Sequence, residues 1–314
     1  MSFRVSNSAT FSLFRRNIGI ASERQMRISE QMATGKRVSL PSDDPLAAQA
    51  IAGLKDALSR TELYNRNVQF ADQRWKVLES EVGSVNEYLI RAKELAIQAN
   101  NGTLGAEQRR IIASEVAQLS EQLLSIGNKQ INGEYIFAGF RTDTRPFVKD
   151  ASFPAADPAV TFAGDSNVKK VQIGEDDWFE IQIQGNALFL GDGTAATTDL
   201  FQTLANLEQA LLNNNIDNSD PASVGQAIED LDGALRQVQA ELATIGAKTN
   251  RLESLKSRLQ EQSDLNKEFL SQYEEIDMAE AAYEFQRAQI VLQATVNSGA
   301  AILNRPTLMD FLGR

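Results

Sequence analysis

From Leu54 to Ala99 one apolar seam runs without a slip. Leu54, Ala57, Thr61, Tyr64, Val68, Ala71, Trp75, Leu78, Val82, Val85, Leu89, Ala92, Ala96 and Ala99 follow one another in alternating steps of three and four. That 3.5-residue period lays every one of them along a single side of an α-helix. At 1.5 Å per residue the seam alone spans roughly 70 Å. Such a helix exceeds what an ordinary globular domain holds, and it predicts a rod of long helices. Its start is marked by Asp44 followed by Pro45, an N-cap before a first-turn proline. Asp43 and Asp44 could also be a carboxylate pair for catalysis or metal, but at this place a cap complementing the helix dipole is favoured. Asn100, Asn101 and Gly102 mark its end.

The two ends of the chain carry the same period. Phe11, Phe14, Ile18, Ala21, Gln25, Ile28 and Met32 form one seam; Met278, Ala282, Phe285, Gln289, Leu292, Val296, Gly299 and Leu303 form another. A lone amphipathic helix is marginal in water, so each needs a partner. Residues 1–40 hold seven Arg or Lys against two Glu, and the last 40 hold five acids against three Arg. The ends are thus matched in pattern and opposite in charge, and the expectation is that they pair with each other; the alternative is that each packs on the middle of the chain. Gln25 and Gln289 either set the register of pairing or are tolerated edge residues. Ala288, Gly299, Ala300 and Ala301 leave small surfaces suited to close packing by neighbouring subunits. Gly35 and Pro41 break the first helix, and near Met278 the C-terminal seam slips by two residues, a matching break.

Between these ends, a second helix is expected from about Ala106 to Asn132, with Ile112, Val116, Leu119, Leu123 and Ile126 on one face, folded back antiparallel on the first. Residues 134–198 change character: EYIFAGF, AVTFAG, VKKVQIG, WFEIQIQG and ALFLGDG are aromatic and β-branched runs punctuated by Gly, Pro and Asp, and predict a small β domain. Helices resume at Asp199 (Leu200, Leu204, Leu207, Leu211) and after the cap-like Asp220–Pro221, continuing through Val224, Ile228, Leu231, Leu235, Val238, Leu242, Ile245, Leu252, Leu255 and Leu259. The expected fold class is therefore mainly α: a long helical coiled-coil rod built from both termini, with a small β-rich insertion. Its pieces are an N-terminal helix (residues 1–41), inner rod (42–133), β insertion (134–198), inner rod again (199–277) and C-terminal helix (278–314).

Composition narrows the function. The chain has no His and no Cys among 314 residues. That removes the usual general base, thiolate nucleophiles, disulfides and zinc-thiolate sites. A formal net charge of -11 disfavours nucleic acid, which needs concentrated Lys and Arg. Aromatics at 7% suit helical bundles better than a compact enzyme core. No apolar run is long enough for a membrane span, and the first twenty residues lack a Sec-type signal, so the chain either stays in the cytoplasm or leaves by a route that reads an uncleaved terminus. Gly35–Lys36 is not a phosphate loop, because Glu30 and Arg37 stand where Gly and Ser or Thr are needed. Asp192–Gly193 and Glu175–Asp176–Asp177 lack the alternating ligands of a calcium loop, and turn chemistry is favoured. No enzyme, metal or cofactor is expected.

Three stretches carry a resemblance. QMATGKRVSLPSDDPLAAQAI, RAKELAIQANNGTLGAEQRRIIASEV and NGEYIFAGFRTDTRPF closely resemble the hook-filament junction family of bacterial flagella, hook-associated proteins of the flagellin group. Flagellins proper carry a serine-glycine-leucine-arginine version of the first segment; here Thr34, Gly35, Lys36 and Arg37 replace it. The tail ILNRPTLMDFL also differs from the flagellin ending. The resemblance implies a secreted part of the extracellular flagellum, exported unfolded by the flagellar type III apparatus. It implies a ring of identical subunits between the first hook-associated protein and flagellin, and a cytoplasmic export chaperone on the C-terminal 40 or so residues. Ser6–Met32 and Met278–Leu303 would then line the axial channel. The expected assembly interface is Phe11, Phe14, Ile18, Ala21, Ile28, Met32, Met278, Ala282, Phe285, Leu292, Val296, Gly299 and Leu303. Gly35, Pro41, Asp44 and Pro45 form the expected cap and hinge. Flagellin itself, and a secreted coiled-coil adhesin or needle-tip protein, are the competing readings.

Overall fold

The computed structural model describes residues 7–155, 158–191, 197–217 and 220–303, without the side chains of residues 7–10, 302 and 303. Ser6, Asp192 and Gly193 lie outside the described residues, as does the side chain of Leu303. Seven helices and six short strands follow in order among them: α1 (Asn7–Thr34), α2 (Pro45–Ala99), α3 (Ala106–Gly127), β1 (Gln130–Ile131), β2 (Glu134–Tyr135), β3 (Phe147–Lys149), β4 (Val160–Phe162), β5 (Lys170–Gln172), β6 (Trp178–Glu180), α4 (Gly185–Phe189), α5 (Leu200–Leu212), α6 (Val224–Glu274) and α7 (Met278–Leu303). The fold is mainly α with a small β-containing region. No helix among the described residues is long and apolar enough to cross a membrane. The chain separates into two compact units, one of residues 1–61 and 261–314, the other of residues 62–260; α2 and α6 each contribute to both.

The second unit holds most of the core. Val68, Ala71, Trp75, Leu78, Val82, Val85, Leu89, Ala92, Ala96 and Ala99, the α2 seam, are all fully buried. Against them lie α3, α5 and α6, through Ile112, Val116 and Leu123, Leu200, Leu204 and Leu207, and Leu231, Val238, Ile245 and Leu252. Arg91 pairs with Glu115 at 2.7 Å and Lys129 with Glu81 at 3.1 Å, so α3 runs antiparallel to α2 as expected. Arg109, 2% exposed, closes the α2 end: its Nε donates to Ala99 O at 2.8 Å and its Nη1 to Asn214 Oδ1 at 2.6 Å.

α3 ends at Gly127, before the expected Asn132. A Cβ at Gly127 would meet the Phe147 ring 2.8 Å away. Asn128 then leaves the helix, bonding Phe147 from both sides of its amide: Nδ2 donates to Phe147 O at 2.9 Å and Phe147 N donates to Oδ1 at 3.0 Å. The β region comprises three separate two-stranded antiparallel ladders, β1–β2, β3–β4 and β5–β6. Of the five runs expected to supply strands, ALFLGDG does not: Gly185–Phe189 is the short helix α4. Its Leu188 and Phe189 are buried, and Phe189 packs with Phe137, Phe147 and Phe201. A four-residue apolar run fits a buried helical turn as well as a strand, and here the aromatic cluster decides. α5 is capped by Asp199, which accepts from Gln202 N at 2.9 Å. α6 begins at Val224, because Asp220 spends its carboxylate on a turn, accepting from Ala222 N at 2.8 Å and Asn215 Nδ2 at 2.7 Å. Ser223 is the cap instead, its hydroxyl accepting from Gln226 N at 3.2 Å.

Candidate assembly interface

The first unit places the two chain ends together. α1 and α7 pack side by side, and three contacts fix their direction. Phe14 meets Gly299 near one end, Arg24 Nη2 donates to Glu284 Oε2 at 2.6 Å in the middle, and Ile276 N donates to Gly35 O at 3.1 Å at the other. The pairing is antiparallel and, as the end charges suggested, joined by a cation of α1 and an anion of α7.

On α1 the expected seam faces α7. Ala21 and Ile28 are buried and Phe14, Ile18, Gln25 and Met32 half-buried, with Phe11 exposed at the tip. On α7 the packing face keeps alternate positions of the expected seam and differs by one residue at the others. Phe285, Leu292 and Gly299 belong to it, but Met278, Ala282, Gln289 and Val296 are exposed. Ala281, Ala288 and Thr295 take their places, the first two only 4% exposed. The reason is close approach. An ideal Cβ on Gly299 would fall 1.8 Å from the Phe14 ring, so these backbones meet where side chains are smallest. Ala288 and Gly299, expected to serve neighbouring subunits, are therefore used within the chain, while Ala300 and Ala301 are exposed.

The two breaks also join. Gly35 takes a left-handed φ of 69°, which turns the chain out of α1. Lys36 then forms a β-bridge with Glu275, and Arg37 N donates to Glu274 O at 2.7 Å. Arg37 Nη2 reaches Tyr273 O at 3.0 Å and its Nη1 Asp44 Oδ2 at 3.4 Å. Asp44 caps α2 through Oδ1, accepting from Ala47 N at 3.0 Å, and that bond holds its carboxyl below the usual range. Asp43 does different work, accepting from Ser39 N and Leu40 N at 3.2 and 2.9 Å to close the turn around exposed Pro41. On the other strand Asp277 caps α7, accepting from Ala279 N at 2.8 Å.

At the centre of this junction is Glu274, 8% exposed, which the sequence pattern did not single out. Lys36 Nζ lies 2.7 Å and Lys55 Nζ 2.9 Å from its Oε1. The Lys36 hydrogen bond, then Lys55, hold the carboxyl below its ordinary range against the opposing effect of burial. A signal was present: an acid in the last turn of a helix opposes the dipole and needs cations from elsewhere. Beside the junction an open groove of about 650 Å³ runs between α1 and α7, lined by Arg24, Arg27 and Arg37 facing Glu280 and Glu284, with Ile20, Ile28 and Ile276.

Both helices also keep large apolar side chains exposed. Leu13, Ile20 and Met26 on α1 and Tyr283, Ile290 and Val291 on α7 are each at least half exposed. On α7, therefore, the small Ala281, Ala288 and Gly299 meet the large side chains of α1, while the larger Tyr283 and Ile290 are left exposed, an apolar surface that the pair does not cover by itself. In the second unit, Asp177 of the acidic turn accepts from Arg251 Nη2 at 2.9 Å, an ion pair between that turn and α6.

Comparison with known proteins gives this arrangement its class. The bacterial flagellin N-terminal helical region matches residues 5–142, and the flagellin C-terminal helical region matches residues 228–312. The chain belongs to the flagellin family, and the two matched regions take in α1 and α7 respectively. Within that family it falls with flagellar hook-associated protein 3: the Escherichia coli K12 protein of that name is 30% identical over 299 residues, covering 93% of this chain and 94% of the relative. The flagellar filament 33 kDa core protein of Treponema phagedenis is 25% identical over 301 residues, covering 94% of this chain and 92% of its own. The fold is also that of the flagellar junction protein FlgL of Legionella pneumophila, with a TM-score of 0.60 at 16% identity over 72% of this chain and all of the other. These relatives are structural components of flagella.

Proposed function

We propose that the chain is the structural adaptor of a bacterial flagellum, joining the hook-side hook-associated protein to the flagellin filament as a ring of its own copies. The observation that carries this reading is the apolar surface that the α1–α7 pair leaves exposed: the small Ala281 and Ala288 of α7 are buried, while Met26, Tyr283 and Ile290 are each more than half exposed. A helical pair built this way buries its apolar surface only when neighbours supply the other side. Phe11, Met278, Ala282 and Val296, all exposed, belong to that outward surface, whereas Ala21, Ile28, Ala281, Ala288 and Gly299 hold the pair together. Gly35, Pro41, Asp44 and Pro45 act as the cap and hinge that set the pair on the rest of the chain. The chain is secreted to the extracellular flagellum by the type III route, and a cytoplasmic chaperone covers the C-terminal region, including residues 304–314, until export.

Greater similarity to the hook-associated relative than to the filament core protein favours the junction over the filament. Immunogold labelling of intact flagella is the test. A single narrow band at the hook-filament boundary, together with flagellin shed into the medium when the gene is deleted, is the expected result. Label along the whole filament would make the protein a flagellin, and label over the cell surface an adhesin.

A further inference from the structure

Two Asn-Gly pairs stand on exposed turns, and their surroundings differ. Asn132–Gly133 is the two-residue turn of the β1–β2 hairpin, with φ of 53° and 84°, as a type I′ turn requires. The pairs Ile131–Glu134 and Gln130–Tyr135 clamp it on both sides, and the Asn132 side chain makes no hydrogen bond among the described residues. Asn101–Gly102 lies in the connection from α2 to α3. There Thr103 donates twice to Asn101 Oδ1, from its main-chain N–H at 3.1 Å and its hydroxyl at 3.0 Å. The main-chain carbonyl of Asn101 accepts from two other groups, Nη2 of the buried Arg109 at 2.9 Å and Leu104 N at 3.1 Å.

We propose that Asn101–Gly102 is a self-modifying site that converts to isoaspartate. The Gly102 amide nitrogen, unhindered by a side chain, attacks Cγ of Asn101. A C–N bond forms and negative charge develops on Oδ1, where the two Thr103 donors already point, as in an oxyanion hole. Collapse breaks the Cγ–Nδ2 bond, and ammonia leaves with the proton of the Gly102 amide, giving a cyclic imide. Water then opens the ring at one of its two carbonyls. Opening at Cγ gives aspartate. Opening at the former main-chain carbonyl leaves that carbon as a carboxylate and routes the chain through Cγ, which is isoaspartate. Arg109 polarises that second carbonyl and afterwards pairs with the carboxylate it becomes, so the ring opens preferentially to isoaspartate. One water is consumed and one ammonia released; no oxidant, reductant or cofactor takes part.

The test follows both Asn-Gly pairs in one sample. The folded full-length chain is aged at mildly alkaline pH, and peptide mapping with isoaspartyl methyltransferase labelling scores residues 101 and 132. Residue 101 converts several-fold faster than residue 132 when folded, and the two rates converge in urea, where the isoaspartate share at 101 also falls. Thr103→Val, at an exposed position, slows residue 101 roughly tenfold, less than the hundredfold or more that a donor contributes in an enclosed oxyanion hole, and leaves residue 132 unchanged. Gly102→Ala, whose Cβ would meet nothing within 4 Å, nearly stops conversion at 101 without disturbing the fold. Equal rates at 101 and 132 in the folded chain, or a Thr103→Val chain that ages like the parent, would overturn the proposal.

Discussion

Phe14 occupies the space where a side chain at Gly299 would begin: the first carbon of such a side chain would lie 1.8 Å from the ring. The α1–α7 pair is therefore set by a missing atom on one helix and a large ring on the other. Gly299→Ala forces the ring or the helix to move, an overpacking change of about 1–3 kcal/mol. Phe14→Ala alone loses ring burial, but in the double variant the clash is gone, so the two effects combine to less than their sum. Hydrogen exchange of the α1 and α7 amides in the four chains measures this coupling. Strict additivity would show that the two residues do not touch.

Glu274 gives the junction an acid-sensitive arm. Its carboxyl, shared by Lys36 and Lys55, is depressed in the folded chain. Such a group contributes stability above its unfolded-state value, near 4.5, and that contribution is lost as pH falls through the lower folded value. Exchange at the Arg37 and Ile276 amides, which bridge the two breaks, should accelerate in that acid window. In Glu274→Gln it should already be fast at neutral pH and lose its pH dependence there. A variant that retains the parent's acid profile would place the sensitivity elsewhere.

The chain's two tryptophans report different environments. Trp75 is fully buried, its Nε1 donates to Glu180 O at 2.8 Å, and Lys248 Nζ lies 4.7 Å from its ring centroid; Trp178 is 59% exposed on β6. Trp178→Phe should leave a blue-shifted emission from Trp75 alone, unquenched by added iodide. Trp75→Phe keeps most of the buried volume and strands the Glu180 carbonyl, at a cost of about 1–2 kcal/mol in urea unfolding. A neutral effect would mean that water replaces the indole donor.

How far the sequence disclosed this structure depended on how local each signal was. The borders of α2 were legible to the residue, because Asp44–Pro45 and Asn100–Asn101–Gly102 act on their own backbone. The end of α3 was not, because Gly127 and Asn128 answer to Phe147, nineteen residues beyond Asn128. Likewise Asp220–Pro221 has the form of a helix start, yet Asn215 draws Asp220 into a turn and Ser223 caps α6. At the candidate interface the α1 seam was legible because its large side chains do face α7. The α7 seam was right at Phe285, Leu292 and Gly299 and misplaced by one residue at the positions between, because a pattern weighted by size passes over Ala281 and Ala288, whose smallness makes them the contact. Glu274 escaped because its two lysines, Lys36 within the Gly35–Asp44 break and Lys55 in α2, converge on it only in the fold.

The two faces of α7 differ in exposure, so their roles can be tested separately. Ile290 is 69% and Tyr283 65% exposed, seven residues apart and so on one face, whereas Ala288 is 4% exposed on the α1 side. Ile290→Ser and Tyr283→Ser remove apolar surface that is mostly exposed. Each should alter stability by no more than about 0.5 kcal/mol. Ala288→Glu places a charge between α1 and α7 and should loosen their pairing, visible as faster exchange in both helices. If the outward face belongs to neighbouring subunits, the double variant Tyr283→Ser/Ile290→Ser folds as the parent does, yet fails to restore motility to a strain lacking the gene. Ala288→Glu fails as well, but with its α1–α7 pair already open in the isolated chain. Normal motility with both outward residues replaced would move the interface off this face of α7 and onto Leu13, Ile20 and Met26 of α1.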